Sequence, residues 1–301
     1  MVLPLLNHVC IQGVSLNVKF YGVRGSTPCC CEANRRVGGN TACVVVEIAG
    51  RPPIICDLGT GLRFFGSEWL ARTDVPIEAT ALVSHLHWDH VQGLPFFIPL
   101  HQPGSKLHVI APRQELGLEE AFEQFMSPPY FPIRLADLAG TVTFAEATVH
   151  PIDLDGVKVI AGSVPHIGPT LGFRIEANGA SLAYVPDHQQ PLDGSRSFAD
   201  SVLELCRDVD VLIHDAQFTD EEFAERSSWG HCTIDYAYEL AVAAGVSTLV
   251  LFHHDPGHSD DMLDEVVVRL SQRSAETGGP VVVCGREGLN MSVSHLAEVV
   301  L

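Results

Sequence analysis

Four potential metal ligands fall within six consecutive positions of this chain. They are His85, His87, Asp89 and His90, in the stretch LVSHLHWDHVQGLP (Leu82–Pro95). Histidines one residue apart at a strand end point the same way, so His85 and His87 can grip one ion together. Asp89 and His90 lie a turn further on and face a neighbouring position. Three imidazoles and one carboxylate suit zinc, and manganese or iron are also compatible. The competing reading is a surface loop with chance histidines; so dense a set of ligands weighs against it.

A complete coordination shell needs donors from elsewhere, and three candidates close apolar, strand-like runs. His166 ends VIAGSVPH, Asp187 ends SLAYVPD and His253 ends TLVLFH. Each precedes a turn, so each can face one rim of a layered structure. A lone histidine in such a place is more often structural than a ligand, but three such positions beside the first cluster reverse that expectation. Cys29, Cys30 and Cys31 are consecutive and lack the C-x-x-C spacing of a structural zinc site, so they read as a loop with free thiols.

The elements that must position these residues follow from periodicity. Leu16–Val23 and Ala42–Gly50 alternate like strands, PPIICD is a short buried run ending at Asp57, and Ile77–His85 is a further strand. Helical spacing marks Leu62, Phe65, Trp69 and Leu70, and again Glu115–Met126. Ser127–Ile133 holds three prolines and breaks regular structure, as a surface flap would. Asn178-Gly179 sets a hairpin turn between two strands. The last third alternates: a helix to Arg207, strand Val209–Asp215, helix Thr233–Val246, strand Ser247–Asp255, helix Met262–Arg273 and strand Pro280–Gly285. Hairpins first and alternation later imply an α/β layered class. No linker, low-complexity tract or repeat divides residues 1–301, which read as a single domain with an N-terminal extension over residues 1–15.

Composition narrows the function. The 301 residues are 46% hydrophobic, and no stretch reaches the ~18 uncharged apolar residues of a membrane span. The N-terminus lacks a basic start and a cleavage site, so no signal peptide is expected. Nine scattered cysteines fit reduced thiols in the cytoplasm better than a disulfide framework. The net charge of −19, from 37 acidic and 18 basic residues, comes with no basic run. Affinity for long nucleic acid comes largely from Lys and Arg neutralising phosphates, so a long RNA or DNA substrate is disfavoured.

The pattern H-x-H-x-D-H, with ICDLGTG upstream and a later His, Asp and His, resembles the metallo-β-lactamase fold hydrolases, from about Phe20 to Leu289. The resemblance implies a four-layer αββα sandwich with two divalent metals, most simply Zn2+. It implies that His85, His87 and His166 hold one metal, that Asp89, His90 and His253 hold the other, and that Asp187 bridges them. Asp57 would sit beneath the metal loop and hydrogen-bond it without ligating. Antibiotic hydrolysis is disfavoured, because true metallo-β-lactamases commonly place Cys where this chain has Asp187. Flavodiiron oxygen reductases place Glu where it has His87.

Two further stretches, LIHDAQF (Leu212–Phe218) and WGHCT (Trp229–Thr233), resemble the H-E-A-T and H-S-T loops of the tRNase Z and cyclic-phosphodiesterase branch. The resemblance implies that His231 acts on the leaving group. His214 and Asp215 occupy the first loop, with Asp where the branch usually has Glu. His253 falls in register with the branch's motif, leaving His254 and His258 as outer-shell or structural residues. The function so implied is hydrolysis of a small cyclic or linear phosphodiester, such as a cyclic nucleotide. A water shared and acidified by both metals attacks, Asp89 orients it, and His231 protonates the departing alkoxide. Three rivals stand beside it: a hydrolase of carboxylic esters, lactones or thioesters on the same metals, a tRNase Z-like endoribonuclease, and a metal-dependent ligand-binding regulator without turnover. The expected partners are the small anionic diester and, for a homodimer, a second copy of the chain, with no membrane.

Overall fold

The computed structural model of the protein describes residues 16–148 and 150–294. The extension expected over residues 1–15 lies outside them. The first sheet takes β1 (Leu16–Gly22), β2 (Cys43–Glu47), β3 (Ile54–Cys56), β4 (Glu78–Leu82), β5 (Lys106–Ala111) and β6 (Thr141–Glu146). The second takes β7 (Ile152–Leu154), β8 (Val157–Ser163), β9 (Leu171–Ala177), β10 (Ala180–Val185), β11 (Val211–Asp215), β12 (Thr248–Phe252) and β13 (Val281–Cys284). The last strand, β14 (Asn290–Val293), returns to the first sheet beside β1. Each sheet has seven strands, ordered β14-β1-β2-β3-β4-β5-β6 and β13-β12-β11-β10-β9-β8-β7.

Alternation along the strands divides the apolar residues among three layers. Phe20, Val44 and Val46 from the first sheet meet Phe173, Leu182 and Phe252 from the second, forming the core between the sheets. Outside the first sheet, helices α1 (Leu62–Arg72), α2 (Trp88–Val91) and α3 (Leu118–Phe125) contribute to a second cluster around Phe65, Val91 and Phe122. Outside the other sheet, α4 (Asp200–Cys206), α6 (Ile234–Ala243) and α7 (Asp260–Thr277) cover Leu212, Leu249 and Leu251, with the short α5 (Asp220–Arg226) between α4 and α6 in the chain. The result is the αββα sandwich expected from the sequence. No described helix is long and apolar enough to cross a membrane.

Several helix boundaries differ from the periodicity; the helix expected over Thr233–Val246, for one, runs from Ile234 to Ala243. The helix expected from Glu115 starts at Leu118, because Gly117 has φ +86 and lies outside the right-handed helical region. The helix expected over Met262–Arg273 runs from Asp260 to Thr277. Ser259 caps its start by accepting from the Met262 N–H, and Gly278 at φ +70 ends it.

The register decides where the site lies. β10, β11 and β12 are parallel, pairing Val185 with His214 and Asp215 with Phe252. β3 and β4 are also parallel, pairing Cys56 with Leu82. The residues following these strands are Asp187, His253, Asp57 and His85, so one rim of the sandwich collects them all.

Candidate metal centre

The loop after β4 is shaped from below by Asp57. This carboxylate accepts from the Ser84 N–H at 2.7 Å, the Ser84 hydroxyl at 2.9 Å, His90 Nδ1 at 2.7 Å and the Tyr184 hydroxyl at 2.8 Å. Asp57 is fully buried and sits at φ +60, a conformation costly for a non-glycine residue and held here by its surroundings. Its bond to Nδ1 turns Nε2 of His90 inward. Such outer partners fix the tautomer and orientation of a ligating histidine.

The same device recurs. His253, at φ +55, donates from Nδ1 to Gln217 Oε1 at 2.8 Å, and His166 donates from Nδ1 to the Gly230 carbonyl at 2.6 Å. Asp89 Oδ2 accepts from the Ser26 N–H at 2.7 Å. Two glycines make room for these rings. A Cβ on Gly25 would lie 2.3 Å from His253 Nδ1, and one on Gly230, at φ +98, would lie 2.4 Å from His166 Cε1.

With their outer atoms occupied, the inner atoms converge in two groups. His85, His87, His166 and Asp187 form one, and Asp89, His90 and His253 form the other. Asp187 serves both. Its Oδ2 stands 3.6 Å from both His85 Nε2 and His166 Nε2, while its Oδ1 stands 3.1 Å from His90 Nε2 and 3.3 Å from His253 Nε2. Within the groups, His166 Nε2 lies 3.3 Å from His87 Nδ1, and His90 Nε2 lies 3.2 Å from His253 Nε2. Neutral imidazole lone pairs aimed at one another repel unless a proton or a cation stands between them. His85 Nε2 and Asp187 Oδ1 are moreover buried without a hydrogen-bond partner, which is costly unless an ion takes that role. The donor set and its orphaned atoms fit divalent metal.

The electrostatics agree for most of these groups. His90 is the exception: burial lowers it, but Asp89, Asp187 and Asp57 outweigh that and raise it well above the ordinary histidine value. Burial pushes His85, His87 and His166 below the ordinary histidine value, leaving them neutral and able to donate a lone pair. Burial alone would raise Asp187, but His253, His90 and His85 outweigh it and hold the carboxyl well below the usual range. Burial likewise opposes ionisation of Asp89, and the charge of His90 with hydrogen bonds from His253 and His90 overrides it.

His231 lies beside the ligands, as the resemblance implied for a residue acting on the leaving group. Its Nδ1 is 3.1 Å from Asp215 Oδ2 and 3.8 Å from Asp187 Oδ2, and with Asp187 and His253 it forms a third group of potential donors. Burial lowers the affinity of this ring for a proton, but Asp215 and then Asp187 and Asp89 raise it above the ordinary value. Asp215 reaches His231 despite being shorter than Glu, and it also accepts from the backbone N–H groups of His188 and Gln217.

His214 lies at the end of β11 and faces away, donating from Nδ1 to the Asp215 carbonyl and pairing through Nε2 with His188 at 3.0 Å. His254 bonds the Gly285 carbonyl at 2.9 Å, and burial with the neighbouring Arg24 pushes its pKa down to about 3. His258 pairs with Glu222. The Cys29 and Cys31 sulfurs both contact the Asn34 amide, and all the described cysteines are free. Gln217 and Gly230 lie inside the LIHDAQF and WGHCT stretches, but their roles, like that of the Ser26 N–H, had no signal in the sequence, since an amide and two peptide groups carry no ligand chemistry of their own.

Similarity to known proteins follows the same lines. The chain is 28% identical to a Ribonuclease Z of Methanosarcina acetivorans over 323 residues, covering 94% of this chain and all of that protein. Its fold matches the metallo-beta-lactamase fold protein YhfI of Bacillus subtilis, with a TM-score of 0.66, 18% identity and coverage of 93% and 99% of the two chains. It also matches the short form of human tRNase Z, with a TM-score of 0.63, 19% identity and coverage of 92% and 99%. The sequence model of the beta-lactamase superfamily domain matches residues 54–254, which span both metal-ligand groups, and the chain belongs to that family of hydrolases.

Proposed function

We propose that the protein hydrolyses a small phosphodiester using two divalent metals, most simply zinc. The observation that carries this is the division of Asp187, whose two oxygens face separate histidine groups on either side of it. A pair of metals held by these side chains would supply an acidified water and positive charge for the phosphoryl oxygens. His85, His87 and His166 would hold the first and Asp89, His90 and His253 the second, with Asp187 able to serve both.

The remaining work falls to the protein's own groups. Asp89 Oδ2, fixed by the Ser26 N–H, is positioned to orient the attacking water. His231 is held by Asp215 with its proton affinity raised, which suits donation to a departing alkoxide. Asp57 and Gln217 keep His90 and His253 aimed inward and exclude other tautomers. Neither touches substrate.

A longer substrate is the second reading, since the Methanosarcina acetivorans relative is named a ribonuclease. The net charge of −19 opposes it, because binding a structured RNA needs a basic surface. One screen separates these and the ester-hydrolase reading: cyclic nucleotides, linear dinucleotides, a pre-tRNA, a lactone and a thioester, each offered to the metal-loaded protein. Turnover of small diesters is expected. Salt-sensitive pre-tRNA cleavage at the 3′ end, or activity on carbon esters alone, overturns it.

A further inference from the structure

Beside the metal centre runs a groove of about 1070 Å³ whose lining includes Leu86, Trp88, Leu116, Phe125 and Pro169, with Arg113. Its position is tied to the ligands. Leu86 and Trp88 flank His87, the most exposed of the seven proposed ligands, and Pro169 lies three residues beyond His166. These neighbours in the chain place the groove beside the mouth of the centre.

The groove is mainly apolar, with Arg113, Gln114, Glu115 and Gln124 as its polar residues. Trp88 is 62% exposed, so its indole face is open, and its ring lies 6.4 Å from that of Phe125 at a tilt of 55°. Leu116 is 57% exposed in the same wall. Exposed rings of this kind, held beside a polar centre, are the usual means of gripping a flat apolar group. Arg113 follows the end of β5, is exposed, and has no hydrogen bond or ion pair to another described residue. In a chain with 37 acidic side chains an unpaired guanidinium at a groove wall is available to an anion.

We propose that this groove is the specificity subsite for one arm of the substrate. The occupant is an aromatic or heteroaromatic substituent that lies against Trp88 and Phe125 and carries an anionic group to Arg113. The proposal rests on the hydrolase reading above for the reacting group, which the centre holds while the groove selects the arm. Trp88 and Phe125 determine preference; they do not touch the reacting atoms.

Phosphonates test this without turnover, because they lack a cleavable ester. Titrations of the full-length, metal-loaded protein with methylphosphonate, naphthylphosphonate, phenylphosphonate and para-carboxyphenylphosphonate report the preference directly. The naphthyl compound should bind roughly 10-fold more tightly than the methyl one, as expected for burial of an aromatic surface. Trp88→Leu and Phe125→Ala should each erode that ratio. Trp229→Ala, which alters an exposed tryptophan outside the groove lining, should keep it. The carboxylate should tighten binding in the wild type and not in Arg113→Gln.

Equal binding of naphthyl and methyl compounds overturns the proposal, as does a preference that survives both groove variants. Phe125→Ala keeps the test sound if Trp88→Leu disturbs the neighbouring ligands. The two readings fail separately. Aryl preference with hydrolysis confined to carbon esters removes the phosphodiester reading and keeps the groove, whereas diester turnover without aryl preference does the reverse.

Discussion

His231 Nδ1 stands 3.1 Å from Asp215 Oδ2, and that pairing makes the ring a proton carrier rather than a simple neutral donor. Burial by itself would strip the proton from His231; the Asp215 carboxylate outweighs it. A group so held acts most strongly where the leaving oxygen is basic. His231→Ala should lower turnover of an alkyl phosphodiester by about 10²- to 10⁴-fold. It should lower turnover of a p-nitrophenyl diester much less, since that phenolate departs unaided. Asp215→Asn should act in the same direction and more weakly. Equal losses on both diesters would assign His231 to substrate positioning, and loss of bound metal would make it a ligand, which its place beside Asp187 and His253 allows.

Asp187 is tested through metal content. Because its oxygens face both histidine groups, Asp187→Ala should weaken both, not one. Metal analysis of the purified variant should find well under the roughly two ions per chain expected of a two-metal site. Full occupancy in that variant would refute bridging.

The outer partners should separate metal affinity from folding. Gln217 bonds His253 alone among the proposed ligands, so Gln217→Ala should weaken metal binding by roughly 10- to 100-fold and keep the fold. Asp57 joins Ser84, His90 and Tyr184 in one buried network, so Asp57→Ala should lower stability by about 3–5 kcal/mol. Chelator competition and urea unfolding measure the two effects. A Gln217→Ala protein that retains wild-type affinity would show that the backbone conformation of His253 suffices to aim it.

The ligands were legible because they end strands, where composition and topology coincide. An apolar run closing in His or Asp fixes both the element and the rim that it faces, as at His166, Asp187 and His253. Three things were not legible. Gln217 and the Gly230 carbonyl act through geometry that only the folded chain creates. The Glu115 helix start was misjudged because periodicity does not report the positive φ of Gly117. The groove between the loop after β4 and α3 joins residues 86 to 169, and its exposed apolar side chains look like ordinary surface in one dimension.

The last prediction concerns Glu222, which joins α5 to the loop following β12. It accepts from the Thr219 N–H at 2.8 Å and from His258 Nε2 at 2.9 Å. Burial would raise this carboxyl, but the Thr219 bond and the neighbouring His258 outweigh it and hold the value below the usual range. A carboxyl depressed in the folded state binds fewer protons there than in the unfolded chain. Its contribution to stability is therefore complete above the unfolded value of about 4.3 and disappears as pH falls through the lower folded value. Glu222→Gln should lower the urea midpoint at pH 7, and the gap from wild type should narrow as pH falls below about 4. Equal midpoints at pH 7 would mean that the bonds of the Glu222 carboxylate to Thr219 and His258 add nothing to the fold. A gap that widens in acid would reverse the sign of the assignment.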